Sequence, residues 1–217
     1  DPIEGGASLI TFMDEFGTVG LTDITDPENI ETVFFEAYAR ADFEFGSYSQ
    51  LTTPLDGETI WYVGYDGYLE MIEIETGEVY YFPDVYVEEE GDLWNASISA
   101  DGETVALVSA YEGDPNLYLY DGEEIGYIEL IPEVSQSGVE GSPIEYPEIV
   151  SWSTNIEEPK IAFDALHLDV ILGDTVGYWG IYEIDLSTEK IFNLIPNQTS
   201  DVNVGNINYS RTNPDVI

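Results

Sequence analysis

Carboxylates are the one chemically capable group this chain carries in quantity. Its 217 residues hold 45 Asp and Glu against four Lys and Arg, one His and no Cys. Clustered carboxylate oxygens suit calcium. The candidate groupings are Asp164 with Asp169 and Asp174, Asp121 with Glu123 and Glu124, and Glu88-Glu89-Glu90 with Asp92. None has the spacing of a calcium loop, so Ca2+ is the only cofactor the sequence brings into view, and it does so weakly. Paired carboxylates also cleave glycosides, but among this many acids a pair carries no information. The chain has no Gly-x-Ser-x-Gly elbow, no His-Glu-x-x-His helix and no Gly-rich phosphate loop. A Ser/His/acid triad would have to use His167, which reads as an ordinary imidazole in a loop. Without cysteine there is neither a disulfide framework nor a thiolate metal site. The expectation is a protein with no catalytic residues of its own.

The charge balance bounds the partners. A formal net charge of −41 sits on a chain whose folded surface would be roughly 10,000 Å². That is one uncompensated charge per about 250 Å². The Debye length is about 8 Å at physiological salt and about 30 Å at 0.01 M. Repulsion is therefore tolerable in brine and severe in dilute buffer. Nucleic acid and anionic lipid are repelled, and a salt-adapted, halophilic surface is the simplest reading. A hydrophobic fraction of 43% and an aromatic fraction of 13% supply a core that a disordered acidic tail lacks. The sequence opens at Asp1, shows no signal-peptide pattern and has no apolar run of membrane length. A processed protein of the cell exterior, cell surface or periplasm is expected, or a piece excised from a longer one. Asn95, Asn197 and Asn208 head glycosylation sequons.

The elements that must position any site are strands. Helical periodicity is nearly absent, and short alternating or β-branched and aromatic runs are separated by Gly, Asp, Asn and Pro. A polar turn feeding an apolar strand recurs at Leu55-Asp56-Gly57, Ala100-Asp101-Gly102, Ser153-Thr154-Asn155 and Ser210-Arg211-Thr212. The period is about 45 to 56 residues. The units run over 1–42, 43–92, 93–133 and 146–200, with a fifth starting at 201–217. Expected strands include Ser8–Met13, Thr18–Thr22, Glu31–Phe35 and Phe43–Gln50. Thr59–Gly64, Trp94–Ser99, Lys160–Asp164, Tyr178–Asp185 and Val204–Tyr209 follow. Four antiparallel strands per unit is the rhythm of a β-propeller blade. Val134–Pro147 reads as a linking loop. Ala165–Gly177 reads as an inserted loop whose His167, Val170, Ile171 and Leu172 are interaction candidates, because insertions on repeat scaffolds gather on binding faces.

The repeats resemble the WD40-like, Asp-containing (PD40-type) β-propeller repeat of the TolB family. The residues that carry the resemblance are Ser99-Ala100-Asp101-Gly102 with Val105-Ala106-Leu107, Trp152-Ser153 with Ile161-Ala162-Phe163, and Gly180-Ile181-Tyr182-Glu183-Ile184-Asp185-Leu186. The resemblance covers roughly residues 43–217 and implies an all-β propeller of four-stranded blades. About four blades are represented, as one domain or as part of a larger ring. In the repeat, Asp56 and Asp101 are expected to cap backbone N–H groups at their turns.

These readings converge on a non-enzymatic, secreted or cell-surface propeller acting as a protein-interaction or assembly scaffold. It would engage a protein partner or itself through exposed blade edges, with no nucleic acid and no membrane insertion. Two alternatives stand beside it. One is the accessory propeller of a prolyl-oligopeptidase-like hydrolase whose catalytic domain lies outside these residues. The other is a carbohydrate-binding propeller using Trp61, Trp94, Trp152 or Trp179 as stacking platforms. The charge reading makes one prediction: thermal melting in 10 mM and in 1 M NaCl will show a lower midpoint in the dilute buffer. Equal midpoints contradict it.

Overall fold

A computed structural model of the chain describes residues 8–42, 47–87, 92–111, 113–130, 144–171, 174–195 and 207–210, together with Asn213 and Ile217. Every regular element among them is a strand. None of the described residues forms a helix long and apolar enough to cross a membrane.

The first sheet is β1 (Leu9–Met13), β2 (Thr18–Asp23) and β3 (Glu31–Tyr38). A two-residue ladder, β4 (Ala41–Asp42) with β5 (Ser47–Tyr48), follows it. The second sheet is β6 (Thr59–Val63), β7 (Leu69–Glu73) and β8 (Val79–Phe82). Thr52 bridges Trp61, so the segment around it forms the inner margin of this sheet. The third is β9 (Leu93–Ile98), β10 (Val105–Ser109), β11 (Asn116–Tyr120) and β12 (Ile125–Glu129). The fourth is β13 (Ile144–Trp152), β14 (Lys160–Ile171), β15 (Asp174–Asp185) and β16 (Lys190–Ile195). Each is an antiparallel meander in chain order.

The turns explain why consecutive strands fold back. Gly57 and Gly102 have φ of 71° and 79°, a region open to glycine at little cost. Beside them the Asp56 and Asp101 carboxylates accept the N–H groups of Glu58 and Glu103 at 3.0 and 3.1 Å. The expected capping role of both aspartates is thus present. In the fourth unit Asn155 does the same for Glu157 and Glu158.

Alternation then sends each strand to two cores at once. On β10, Val105 and Leu107 pack toward Val63, Leu69 and Leu93, whereas Ala106 and Val108 pack toward Val150, Trp152 and Phe163. Val19, Leu21 and Phe35 of the first sheet meet Ile60, Tyr62 and Ile72 of the second. On the far side of the fourth sheet, Ile149, Ala162 and Ile181 meet Ile207 and Tyr209. Successive sheets therefore stack face to face in chain order, which is the blade arrangement.

The inner margins are tied by a repeated bond. The N–H groups of an inner strand that point away from its own sheet need acceptors. The N–H of Ile98 donates to Oγ1 of Thr52 at 3.1 Å, that of Trp152 to Oγ of Ser97 at 3.3 Å, and that of Tyr209 to Oγ of Ser151 at 3.1 Å. A hydroxyl of the second, third and fourth units accepts from the backbone of the unit that follows.

Three expectations need correction. Ala165–Gly177 is not an inserted loop: β14 and β15 pair continuously from Lys160↔Asp185 to Ile171↔Asp174. The apolar and β-branched residues of this stretch extend the hairpin to twice ordinary strand length. The linking loop expected at Val134–Pro147 gives way to β13 at Ile144, and residues 131–143 lie outside the described set. Ile207–Tyr209, the described end of the expected strand Val204–Tyr209, packs on the fourth sheet without joining a ladder.

The bonds at the inner margins predict that Ser97→Ala, which leaves the buried Trp152 N–H without an acceptor, destabilises the fold by about 1–3 kcal/mol. Ser109→Ala, whose hydroxyl accepts only from the exposed Tyr111 N–H, should change stability by no more than about 0.5 kcal/mol. Urea unfolding of the two variants checks this. Equal midpoint shifts contradict it.

Candidate functional site

The inner margins converge on a cleft of about 330 Å³. Its described lining comes from every unit. Thr11 belongs to the first, Leu51, Thr52, Thr53 and Leu55 to the second, and Ser97, Ile98 and Ala100 to the third. Ser151, Trp152, Ser153 and Thr154 belong to the fourth, and Asn208 and Tyr209 to the start of the fifth. Nine of these fourteen residues carry a hydroxyl or amide as their polar group, and none is charged. In a chain that is 23% charged, that composition is a departure from the rest of the molecule.

The repeat creates this lining. Thr52, Ser97 and Ser151 are the hydroxyls that accept the inter-unit bonds. Asn208 follows them in the series, and its Oδ1 accepts the Ser151 hydroxyl at 3.0 Å. Thr154 donates to the Ser210 carbonyl at 3.3 Å. A second cleft of about 240 Å³ lies between the third and fourth units, beside Ser99, Asp101, Asn155 and Leu186. Trp152 lines both clefts. It is 9% exposed, and its indole N–H has no partner among the described residues.

Two tyrosine–carboxylate pairs are at least partly buried, one within the second sheet and one between the fourth sheet and the segment after it. Tyr62 donates to Glu70 across the β6–β7 ladder at 2.6 Å. Burial pushes the Tyr62 hydroxyl far above its ordinary range, and the Glu70 carboxylate adds to the shift. Burial also raises the Glu70 carboxyl. The Tyr62 bond opposes that shift and nearby Asp66 reinforces it. Tyr209 donates to Glu183, which also holds Lys160 at 3.2 Å. Burial, then the Glu183 bond, lifts the Tyr209 hydroxyl.

Of the residues singled out in the sequence, Trp152 and Asn208 line this cleft and the others fall elsewhere. Asp164 is 3% exposed and its carboxylate accepts the Ile149 N–H at 2.7 Å. Asp169 lies five positions further along β14 and so about 16 Å away. Asp174 pairs with Ile171 at the hairpin tip. Asp169 and Asp174 are thus diagonal neighbours on the paired strands near the hairpin tip, and Asp164 lies farther back along β14. Among the described residues no three metal-ligating side chains come together. Asp121 caps the N–H groups of Glu123 and Glu124 at 3.0 and 2.8 Å. Those bonds, the Glu124 one first, hold its carboxyl below the usual range. Glu88, Glu89 and Glu90 lie outside the described residues.

His167 is not in a loop: it sits in β14 opposite Tyr178 and is 4% exposed. Val170 and Ile171 are strand residues of the same hairpin, and Leu172 lies outside the described set. Asn95 is wholly buried in β9 and accepts the Gln50 and Ala96 N–H groups, so its sequon is closed in the folded protein. Asn208 is exposed, and Asn197 lies outside the described residues. Of the tryptophans, Trp61 stacks on Phe82 at 5.3 Å, Trp94 lies 4.9 Å under the Arg40 guanidinium, and Trp179 meets Tyr146 edge-on. The cleft was missed in the sequence because its signal is faint. It consists of small polar residues at one position of each repeat, just before the turn.

No family model matches the sequence, and no curated protein sequence matches it. Solved structures do resemble it. A chain of the nidogen/laminin complex superposes with a TM-score of 0.52 at 9% identity, covering 89% of this chain and 63% of that one. A putative TolB from Agrobacterium tumefaciens gives 0.49 at 13% identity, covering 91% and 68%. The β-propeller domain of Cps50 (Swd1) from Myceliophteria thermophila gives 0.49 at 11%, covering 88% and 56%. The chain has the β-propeller fold, with about four blades represented. It spans less than two thirds of the nidogen/laminin chain it resembles.

The buried carboxyl yields a pH prediction. Because the folded-state pKa of Glu70 lies above its unfolded value, its ionisation weakens the fold as pH rises past the ordinary carboxyl range. Glu70→Gln should therefore raise the urea midpoint at pH 7, and the gain should shrink toward pH 4. A variant no more stable than the parent at pH 7 contradicts this.

Proposed function

We propose that this chain is a non-enzymatic protein-interaction and assembly scaffold, a propeller of the TolB-like, WD40-like kind that works outside the cytoplasm in salty surroundings. The observation that supports this reading is the outer face of the first sheet. Phe12, Gly20 and Phe34 lie in register across β1, β2 and β3. The Phe12 ring covers Gly20, where a Cβ would collide with it, and meets Phe34 edge-on at 5.5 Å. Ile10, Phe34 and Tyr38, on the same face, are 49%, 56% and 55% exposed. The opposite face of this sheet packs on the second sheet, and the third sheet packs on both sides.

An apolar sheet face that continues an existing stack is suited to another sheet. The occupant proposed is a second copy of the chain, adding a blade to the open side. Two copies at −41 each repel strongly, so screening controls the encounter. Sedimentation velocity in 2 M NaCl should show association of the parent chain at about 100 μM or below. Association should weaken in dilute salt and be lost in Phe34→Glu. A parent chain that stays monomeric in 2 M NaCl overturns the proposal.

A further inference from the structure

The geometry points to the axial cleft as a binding site for a neutral saccharide, an activity separate from the assembly described above. The lining excludes other ligand classes one by one. No Lys or Arg among the described lining residues could hold an anion, and the field of a −41 chain repels one. No carboxylate among the described lining residues could take a cation. A purely apolar ligand would strand the hydroxyls and amide that make up most of the lining. What remains is a ligand with hydroxyls around its rim and C–H groups on its faces. The cleft matches that pattern, with Ser and Thr hydroxyls set among Leu51, Ile98 and the Trp152 and Tyr209 rings. A volume of about 330 Å³ is of the size that encloses a small ring-shaped ligand.

Unused hydrogen-bonding capacity supports the same assignment. Ser97 accepts one bond from Trp152 and keeps its own proton. Asn208 uses only its Oδ1, toward Ser151, which leaves its exposed amide N–H groups to donate. Thr11 lines the opposite side of the cleft and makes no side-chain bond among the described residues. These groups come from the first and third sheets and from the segment after the fourth, so a ring held among them would bridge the units.

The test is titration of the full chain in 1 M NaCl with methyl glucoside, N-acetylglucosamine, lactose and maltose. Glucuronate and glucosamine serve as charged counterparts, and binding is read by calorimetry and ligand-observed NMR. At least one neutral sugar should bind with a dissociation constant on the order of 1 mM or tighter, and at least 10-fold more tightly than its charged counterpart. Asn208→Asp keeps the acceptor for Ser151 but adds a charge and removes the donor. It should weaken binding at least 10-fold while circular dichroism stays unchanged. Thr11→Phe, which fills the opposite wall, should do the same and is the second variant should the first fail to fold. The assignment is overturned if no neutral sugar binds a chain shown to be folded. It is also overturned if glucuronate binds as well as the neutral sugars, or if binding survives in a folded cleft variant.

Discussion

The inward-pointing backbone N–H groups of each innermost strand are the constraint from which the rest follows. A sheet margin that faces an axis has no further strand to pair with, and leaving those donors unsatisfied in a closed space is costly. This chain answers with a side chain from the preceding unit. Thr52, Ser97 and Ser151 sit at one position of the repeat, and each accepts from the following unit. The Asn95 amide does the reverse service for Gln50. The bonds set the spacing between units, and the apolar faces behind them stack at that spacing. A hydroxyl at the margin of every unit also makes the axis polar and neutral, so the cleft is a by-product of holding the blades together.

Charge is managed around this frame with few cations. Arg40 follows the first sheet and reaches the third, donating to the Leu93 carbonyl at 2.8 Å, lying 3.5 Å from Asp92 and stacking over Trp94. Lys160 neutralises Glu183 where that carboxylate also receives Tyr209. Arg40 therefore ties one unit to another, whereas the Lys160 pair lies within the fourth sheet. The acids are not idle either. Asp14, Asp23, Asp26, Asp56, Asp101, Asp114, Asp121 and Asp185 each accept an N–H two residues ahead. At Asp185 the Ser187 hydroxyl leads in holding the carboxyl below its usual range. Part of the acidity is thus turn chemistry.

The fold was legible because its signals are local. Asp56-Gly57 and Asp101-Gly102 fix tight turns whatever surrounds them, and alternation on Val105–Ser109 requires burial on two sides. Thr18, Glu31, Lys160 and Lys190 open strands where the pattern puts them. The stretch around His167 misled because its strand is twice the ordinary length and shows no turn residue before Gly173. An interrupted rhythm then resembles an insertion. The same extended strand sets Asp164 back from Asp169 and Asp174, which lie near the hairpin tip. Asn95 shows a different limit. A sequon is a statement about three residues, whereas the burial that closes it comes from strands distant in sequence.

A carboxylate at the axis would lose solvation and face the charge of the whole chain, so neutrality there is demanded by stability alone. Composition by itself therefore does not mark the cleft as a site. Incomplete use of the hydrogen-bonding groups does. A margin built only to hold blades together would saturate its polar atoms within the protein, as Ser99 does by donating to Asp101 and accepting from Thr104. Asn208 and Thr11, at the two ends of the series of units, do not. Their unspent groups face a cleft walled by Trp152 and Tyr209. That surplus, and not the shape of the hole, separates a place where something binds from a place where four sheets meet.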